Sequence, residues 1–241
     1  MGKYIFVQKL EEEYKVHKLI KKAKIENRSL LEIEAKELLR EYEIPVPVFK
    51  LIQNEEEINQ IEKDIGYPVV MKIVSSDIIH KTDAGGVKVG IKDGEEATAA
   101  YQEIISKAKK YNKNAKISGV IVYSMVPQGT EIIIGMMKDP HFGPVAMFGL
   151  GGIFVEILKD ISFRILPIEE IDAEEMINEI KGYKILKGAR GETPKDLEAI
   201  KNLLMKISQL SIENPEIKEI DLNPIFVFKK GLQIVDARMI L

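Results

Sequence analysis

The segment YPVVMKIVSSDIIHKTDAGGVKVGI (67–91) sets the reading of the whole chain. Its apolar run Val69–Val74 reads as a strand, and it carries one lysine, Lys72, in its middle. A buried ammonium is costly without a partner. Lys72 therefore either projects into a cleft to meet phosphate or snorkels to solvent from an edge strand. A polar loop follows with a single histidine, His80, then Asp83, Gly85 and Gly86, then a second strand, Val87–Ile91. Imidazole is a nucleophile near neutral pH without an activating base, so strand, loop and glycine turn together suggest phosphate handling. A lone inert loop histidine is the plainer alternative.

Composition narrows the classes. The chain has 241 residues, 45% of them apolar, enough for one large or two modest domains with real cores. It has no cysteine, which excludes disulfides, cysteine-bound zinc, iron–sulfur clusters and thiol catalysis. A net charge of −3 gives no reason to expect nucleic acid, and no apolar run reaches membrane-spanning length. The N-terminus lacks the apolar core of a signal peptide, so a cytoplasmic location is expected. The 30% of charged residues, with no tryptophan or cysteine, fits a thermophile.

Periodicity predicts the elements. Residues 1–27 read as a charged helix, and Ser29-x-x-Glu32 as a capping box opening a helix to about Glu43. A strand is expected over Val46–Ile52, a helix capped by Asn54 and ended by Gly66, and a helix over Asp93–Tyr111. Ile117–Val126 and Glu131–Lys138 are predicted as a hairpin turned at Pro127–Thr130. Strands are predicted at Val145–Phe148 and Ile153–Leu158, and a helix at Ile168–Ile180. Thr193–Pro194 is expected to open a helix to about Ile212. A final hairpin, Ile217–Phe228 with Leu232–Met239, turns at Lys229–Gly231. These elements give an α+β (mixed α/β) chain with largely antiparallel sheet and two lobes, and a cleft between lobes is the default ligand site.

Several residues carry chemistry. There is no GxxxxGK[ST], and the glycines at 149 and 151 are followed by Phe154 where a GxGxxG would need glycine. A P-loop NTPase or Rossmann dehydrogenase is thereby disfavoured. On the final hairpin Asn223 and Asp236 face each other or sit one step apart, oxygen donors suited to Mg²⁺, with Asp221 a competing ligand. Glu131 and Glu156 are candidates for ribose or metal, against plain turn carboxylates. Arg164, one of five arginines, is a candidate phosphate or carboxylate reader, against an ion pair with Asp160. His17 reads as a residue of a solvated helix face and His141 as a turn residue.

Three stretches carry a resemblance: PVVMKIVSSDIIHKTDAGGVKVGI, MVPQGTEIIIGMMKDPHFGPVAMFGLGGIFVEILKDISFRILPI and EIDLNPIFVF with IVDARM. They resemble the ATP-grasp β subunit of ADP-forming acetyl-CoA (acyl-CoA) synthetases, relatives of succinyl-CoA synthetase β chains, across residues 29–241. The resemblance implies an ATP-grasp fold divided as an N-terminal helical segment (1–46) on the large lobe, a small lobe (47–121) and a large lobe (122–241). It implies ATP/ADP and Mg²⁺ as cofactors, Lys72 on nucleotide phosphates, the backbone of Ser124, Met125 and Val126 as the adenine hinge, Glu131 on ribose, and Asn223 and Asp236 on the metal. His80 matches the histidine that takes phosphate from a partner and gives it to ADP. Arg164 and Arg190 match family motifs, and Arg164 is taken as a candidate catalytic residue. The implied partner is an α subunit carrying the CoA site, in an α2β2 heterotetramer, for acyl-CoA + ADP + Pi ⇌ acid + ATP + CoA. The alternatives are a stand-alone ATP-grasp carboxylate ligase working through an acyl-phosphate, and a non-catalytic nucleotide-binding subunit. A shuttle role predicts that residues 76–85 are disordered or held in one of two distant positions.

Overall fold

A computed structural model describes residues 16–241 except 79 and 192. The charged stretch 1–15 and the side chains of Glu156 and Arg190, all considered above, lie outside the described residues. Two antiparallel sheets form the frame, each with its own core.

The smaller sheet has the order β1-β4-β2-β3, formed by β1 (Phe49–Ile52), β2 (Val69–Ser75), β3 (Val87–Ile91) and β4 (Ile117–Ser124). Strand β2 is central, and its alternation divides it cleanly. Val69, Met71 and Ile73 enter a core with Ala97, Ala100 and Ile104 of the long helix Gly94–Tyr111. Val70 and Val74 turn the other way, toward Ile121, Tyr123, Leu31, Ile33 and Val235. Asp93 caps the long helix by accepting the Glu96 N–H at 2.8 Å.

The larger sheet runs β10-β8-β5-β6-β7, with β9 beside β8: β5 (Thr130–Asp139), β6 (Gly143–Leu150), β7 (Ile161–Ile165), β8 (Glu219–Val227), β9 (Leu232–Ile234) and β10 (Ala237–Ile240). Ile132, Ile134, Phe148 and Leu222 point from one face into a core with Leu204 and Ile207 of the helix Leu197–Glu213. Burying each such side chain favours the fold by about 1.5–3 kcal/mol.

Two N-terminal helices, α1 (Lys18–Ile25) and α2 (Glu32–Glu41), connect the parts. Ile20, Ala23, Ala35, Leu38 and Leu39 belong to the large core. The start of α2, through Leu31 and Ile33, reaches the uncovered face of the small sheet. Thus α2 is a wedge between the lobes.

Three sequence expectations are corrected. β4 and β5 are not a hairpin: each pairs within a different sheet, so residues 125–129 pass between lobes. Residues 153–156 form a helical turn instead of a strand, because the place beside β6 is taken by β7, which was missed. The helix at 197–213 is capped by Asp196, whose carboxylate accepts the Ala199 N–H, and not by Thr193–Pro194. His17 also differs: its ring accepts the Leu19 N–H and caps α1.

Candidate active site

Lys72 leaves β2 on the interlobe side, with its side chain only 9% exposed. It does not snorkel. Its Nζ donates to Asp236 Oδ2 at 2.9 Å and stands 3.6 Å from Glu32 Oε1. The Tyr123 ring lies 5.2 Å from the same ammonium and 4.0 Å from that of Lys36. A strand of the small lobe, a wedge helix and the final hairpin of the large lobe therefore meet at one charge cluster.

Glu32 is the centre of that cluster, a role its sequence pattern concealed. It does not serve a capping box with Ser29. The helix starts after Leu31, and Glu34 accepts the Leu31 N–H at 2.9 Å while Arg28 clamps Glu34. Glu32 instead turns inward, 1% exposed, with Lys36 Nζ at 3.1 Å and Lys81 Nζ at 3.2 Å. Burial works to raise its pKa, but Lys36, Lys72 and Lys81 outweigh it and lower the carboxyl to about 2. For Lys72 burial works to lower the pKa, and Glu32 and then Asp236 reverse that and hold it above its ordinary value. Lys36 goes the other way: fully buried, its ammonium is lowered by desolvation despite Glu32, with Lys72 adding repulsion. The site is thus a preorganised cationic pocket whose counter-charge is partly buried.

The hairpin supplies the oxygens. The ladder passes from Leu222↔Ala237 to Ile225↔Ile234, leaving Asn223 and Pro224 opposite Val235 and Asp236. The expected juxtaposition of Asn223 and Asp236 holds. Asp236 is half-buried and Asn223 is exposed. Asp221, opposite Arg238, is raised by burial; Arg238 opposes this, while Glu219 and Asp236 add to it. Among the described residues no three His, Cys, Asp or Glu side chains converge as a metal cage. An amide oxygen and one or two carboxylates nevertheless fit Mg²⁺, which keeps water and phosphate oxygens for the rest of its shell.

The loop carrying His80 lies over this pocket. His80 is exposed and lines, with Lys72, Lys81, Thr82, Asp83, Val87 and Asp236, a cavity of about 430 Å³. Ile78 and Ala84 are buried in the small core. The Gly86 carbonyl accepts the Ile73 N–H at 2.8 Å, and the Gly86 N–H donates to the Lys81 carbonyl at 2.8 Å. His80, Lys81 and Thr82 thus stand beside Lys72 and Asp236. Gly86 serves packing: a Cβ there would lie 2.5 Å from Ile73 Cγ2.

Glu131, at the start of β5, is exposed and faces the 149–152 turn, whose Gly151 N–H donates to its carbonyl at 2.8 Å. A Cβ on Gly151 would lie 2.9 Å from Glu131 Cβ, so glycine is what lets the turn close there. In the interlobe connection Ser124 N–H donates to the Val48 carbonyl and Met125 N–H to the Pro68 carbonyl. Among the described residues, the Val126 N–H alone of these three has no partner, though its side chain is buried.

Arg164 is not brought to this site. It sits on β7, the edge strand opposite β10, four strand spacings or about 19 Å across the sheet. Its guanidinium meets Glu179 at 2.6 Å and Glu175 at 3.1 Å on the helix Glu170–Glu179. The ion pair expected with Asp160 is absent, because Asp160 accepts the Lys181 and Gly182 N–H groups. Arg164 is held in a surface ion pair with these glutamates.

This architecture has known counterparts. A family model of the ATP-grasp domain matches residues 21–241. The chain belongs to the ATP-grasp family. Within this ATP-grasp group it is 58% identical, over 94% of its length and 98% of the relative's, to the β subunit of acetate–CoA ligase [ADP-forming] I of Pyrococcus furiosus. Two solved structures of acetyl-coenzyme A synthetase 1 of Ca. Korarchaeum cryptofilum are also similar. One, in complex with coenzyme A, Ca-AMPCP and HgCl+, has 50% identity and a TM-score of 0.89, covering 92% of this chain and 98% of that one. The other, with coenzyme A and Mg-AMPPCP, has its phosphohistidine segment pointing towards the nucleotide binding site; it has 47% identity, a TM-score of 0.81 and the same coverage. The two sheets, antiparallel in every strand pair among the described residues, match the expected fold class.

Proposed function

We propose that this chain is the nucleotide-binding β subunit of an ADP-forming acetyl-CoA (acyl-CoA) synthetase, which takes phosphate on His80 from an α subunit and passes it to ADP. The observation that carries this reading is the cavity in which His80 shares a wall with Lys72 and Asp236. The names of the similar proteins favour it over a stand-alone carboxylate ligase or a non-catalytic subunit.

In the forward leg a terminal phosphate oxygen of ADP attacks the phosphorus on His80. The P–N bond breaks, its electron pair returns to the imidazole, and the P–O bond of ATP forms. Positioning and charge neutralisation carry such a transfer. Lys72 is held cationic by Glu32 and Asp236 and exchanges part of that pairing for phosphate oxygens. The Val126 N–H and the neighbouring hinge carbonyls would take the adenine edge, and Glu131 the ribose hydroxyls. Asn223, Asp236 and Asp221 would hold Mg²⁺, which, when bound, neutralises charge on the transferring group. CoA and the acid belong to the partner, and an α2β2 assembly fits the reading.

The test is ATP formation from acetyl-CoA, ADP and phosphate with the purified α subunit. His80→Ala should abolish it while leaving Mg·ATP binding within about twofold, since His80 makes no bond to the Lys72–Asp236 pair. Full turnover by His80→Ala would overturn the shuttle.

A further inference from the structure

The residue after His80 reaches the same buried carboxylate as Lys72. Lys81 Nζ stands 3.2 Å from Glu32 Oε2, while Lys36 and Lys72 approach Oε1 at 3.1 and 3.6 Å. Among the described residues neither Glu32 oxygen has a hydrogen-bond partner of good geometry, so these ammonium groups are what compensates its burial. The Lys81 side chain is 24% exposed where that of Glu32 is 1% exposed. Lys81 thus enters from the solvent side onto an anion fixed in the wedge helix.

The loop is held in two ways. Its ends are fixed by the buried Ile78 and Ala84 and by the Gly86 backbone bonds. Its tip is tied to the rest of the molecule by the Lys81–Glu32 contact, the ion pair found for residues 80–83 among the described residues. When Lys81 leaves, Lys36 and Lys72 stay with Glu32, so no bare buried anion remains. That makes the contact breakable at modest cost, unlike a lone buried pair.

We propose that Glu32 is a positioning residue for phosphoryl transfer, acting through Lys81 as a clamp that keeps the loop tip where His80 faces Lys72 and Asp236. The inference rests on the reading of His80 as the phosphate carrier. It adds a residue of the N-terminal helix to the transfer machinery and predicts that the clamp affects one half-reaction more than the other.

The experiment uses the full chain with its α subunit and compares wild type, Lys81→Met and Lys81→Arg. In the first arm, amide hydrogen exchange of residues 80–84 should speed up about tenfold in Lys81→Met and stay at the wild-type rate in Lys81→Arg. In the second, single-turnover transfer of labelled phosphate from His80 to ADP should slow about tenfold in Lys81→Met, with Lys81→Arg restoring it. Phosphorylation of His80 from the partner side should slow less than the transfer to ADP, both measured at saturating Mg·ADP or phosphate donor. Unchanged exchange in Lys81→Met, or equal slowing of both half-reactions, overturns the clamp. If the wild type never carries phosphohistidine, the reading of the function fails instead, and the exchange arm still decides the clamp.

Discussion

Replacing Glu32 by glutamine removes one charge from the middle of three ammonium groups and leaves the shape nearly intact. The wild-type carboxyl is lowered to about 2 from an ordinary 4.5: burial opposes this, but Lys36, Lys72 and Lys81 prevail. The gap between 4.5 and about 2 corresponds to about 3 kcal/mol of folding free energy. Removing one partner of a buried ionic group gives a similar figure, about 3–5 kcal/mol. Glu32→Gln should therefore lose about 3 kcal/mol or more at pH 7. The folded-state pKa lies below the ordinary one, so the stabilisation is present above pH 4.5 and fades as pH falls from there toward 2. The difference between wild type and Glu32→Gln should shrink in parallel. Urea unfolding at pH 7, 4 and 3 measures this, read as a change in midpoint at constant slope. Adding Lys36→Met should recover part of the loss, because Lys36 is fully buried and has lost its anion. A loss below about 1 kcal/mol at pH 7, or one equally large at pH 3, would refute the account of the cluster.

Three further outcomes follow from the same geometry. Gly86→Ala forces a methyl to within 2.5 Å of Ile73 Cγ2, so it should cost about 1–3 kcal/mol in thermal or urea unfolding and shift the His80 loop. Arg164→Ala should leave ATP formation at the wild-type kcat and change stability by no more than about 1 kcal/mol, since its partners are solvent-exposed glutamates. Asp236→Asn removes a charge shared by Lys72 and the expected metal, and should raise the Mg²⁺ concentration needed for half-maximal nucleotide binding by about tenfold, measured by titrating Mg²⁺ at fixed ATP.

Much of the site was legible because its signals are local. A lysine inside an apolar strand, a histidine between two strands and an Asn–Asp pair across a hairpin all appear within short stretches. The structure brings Lys72, His80 and Asp236 to one cavity. What stayed hidden depends on contacts between distant segments. Glu32 and Lys36, spaced i,i+4, look like an ordinary surface pair. They are buried only because the start of α2 docks under the small sheet at Tyr123. A short glycine-containing connection at 127–130 looked like a turn, but each flanking strand has better partners in its own sheet. Ile153–Leu158 has strand-like composition, yet the sheet position was already taken by β7. Arg164 in an apolar setting invited a ligand, while the glutamates that hold it lie 11 and 15 residues ahead on another element.

The central claim is that phosphate passes through His80. The complex with the α subunit, incubated with acetyl-CoA and labelled phosphate in the absence of ADP, should carry an acid-labile, base-stable label. Proteolysis should place that label on the peptide containing His80, and ADP with Mg²⁺ should discharge it as ATP. A label absent from this chain, or one on this chain that survives His80→Ala, would contradict the account.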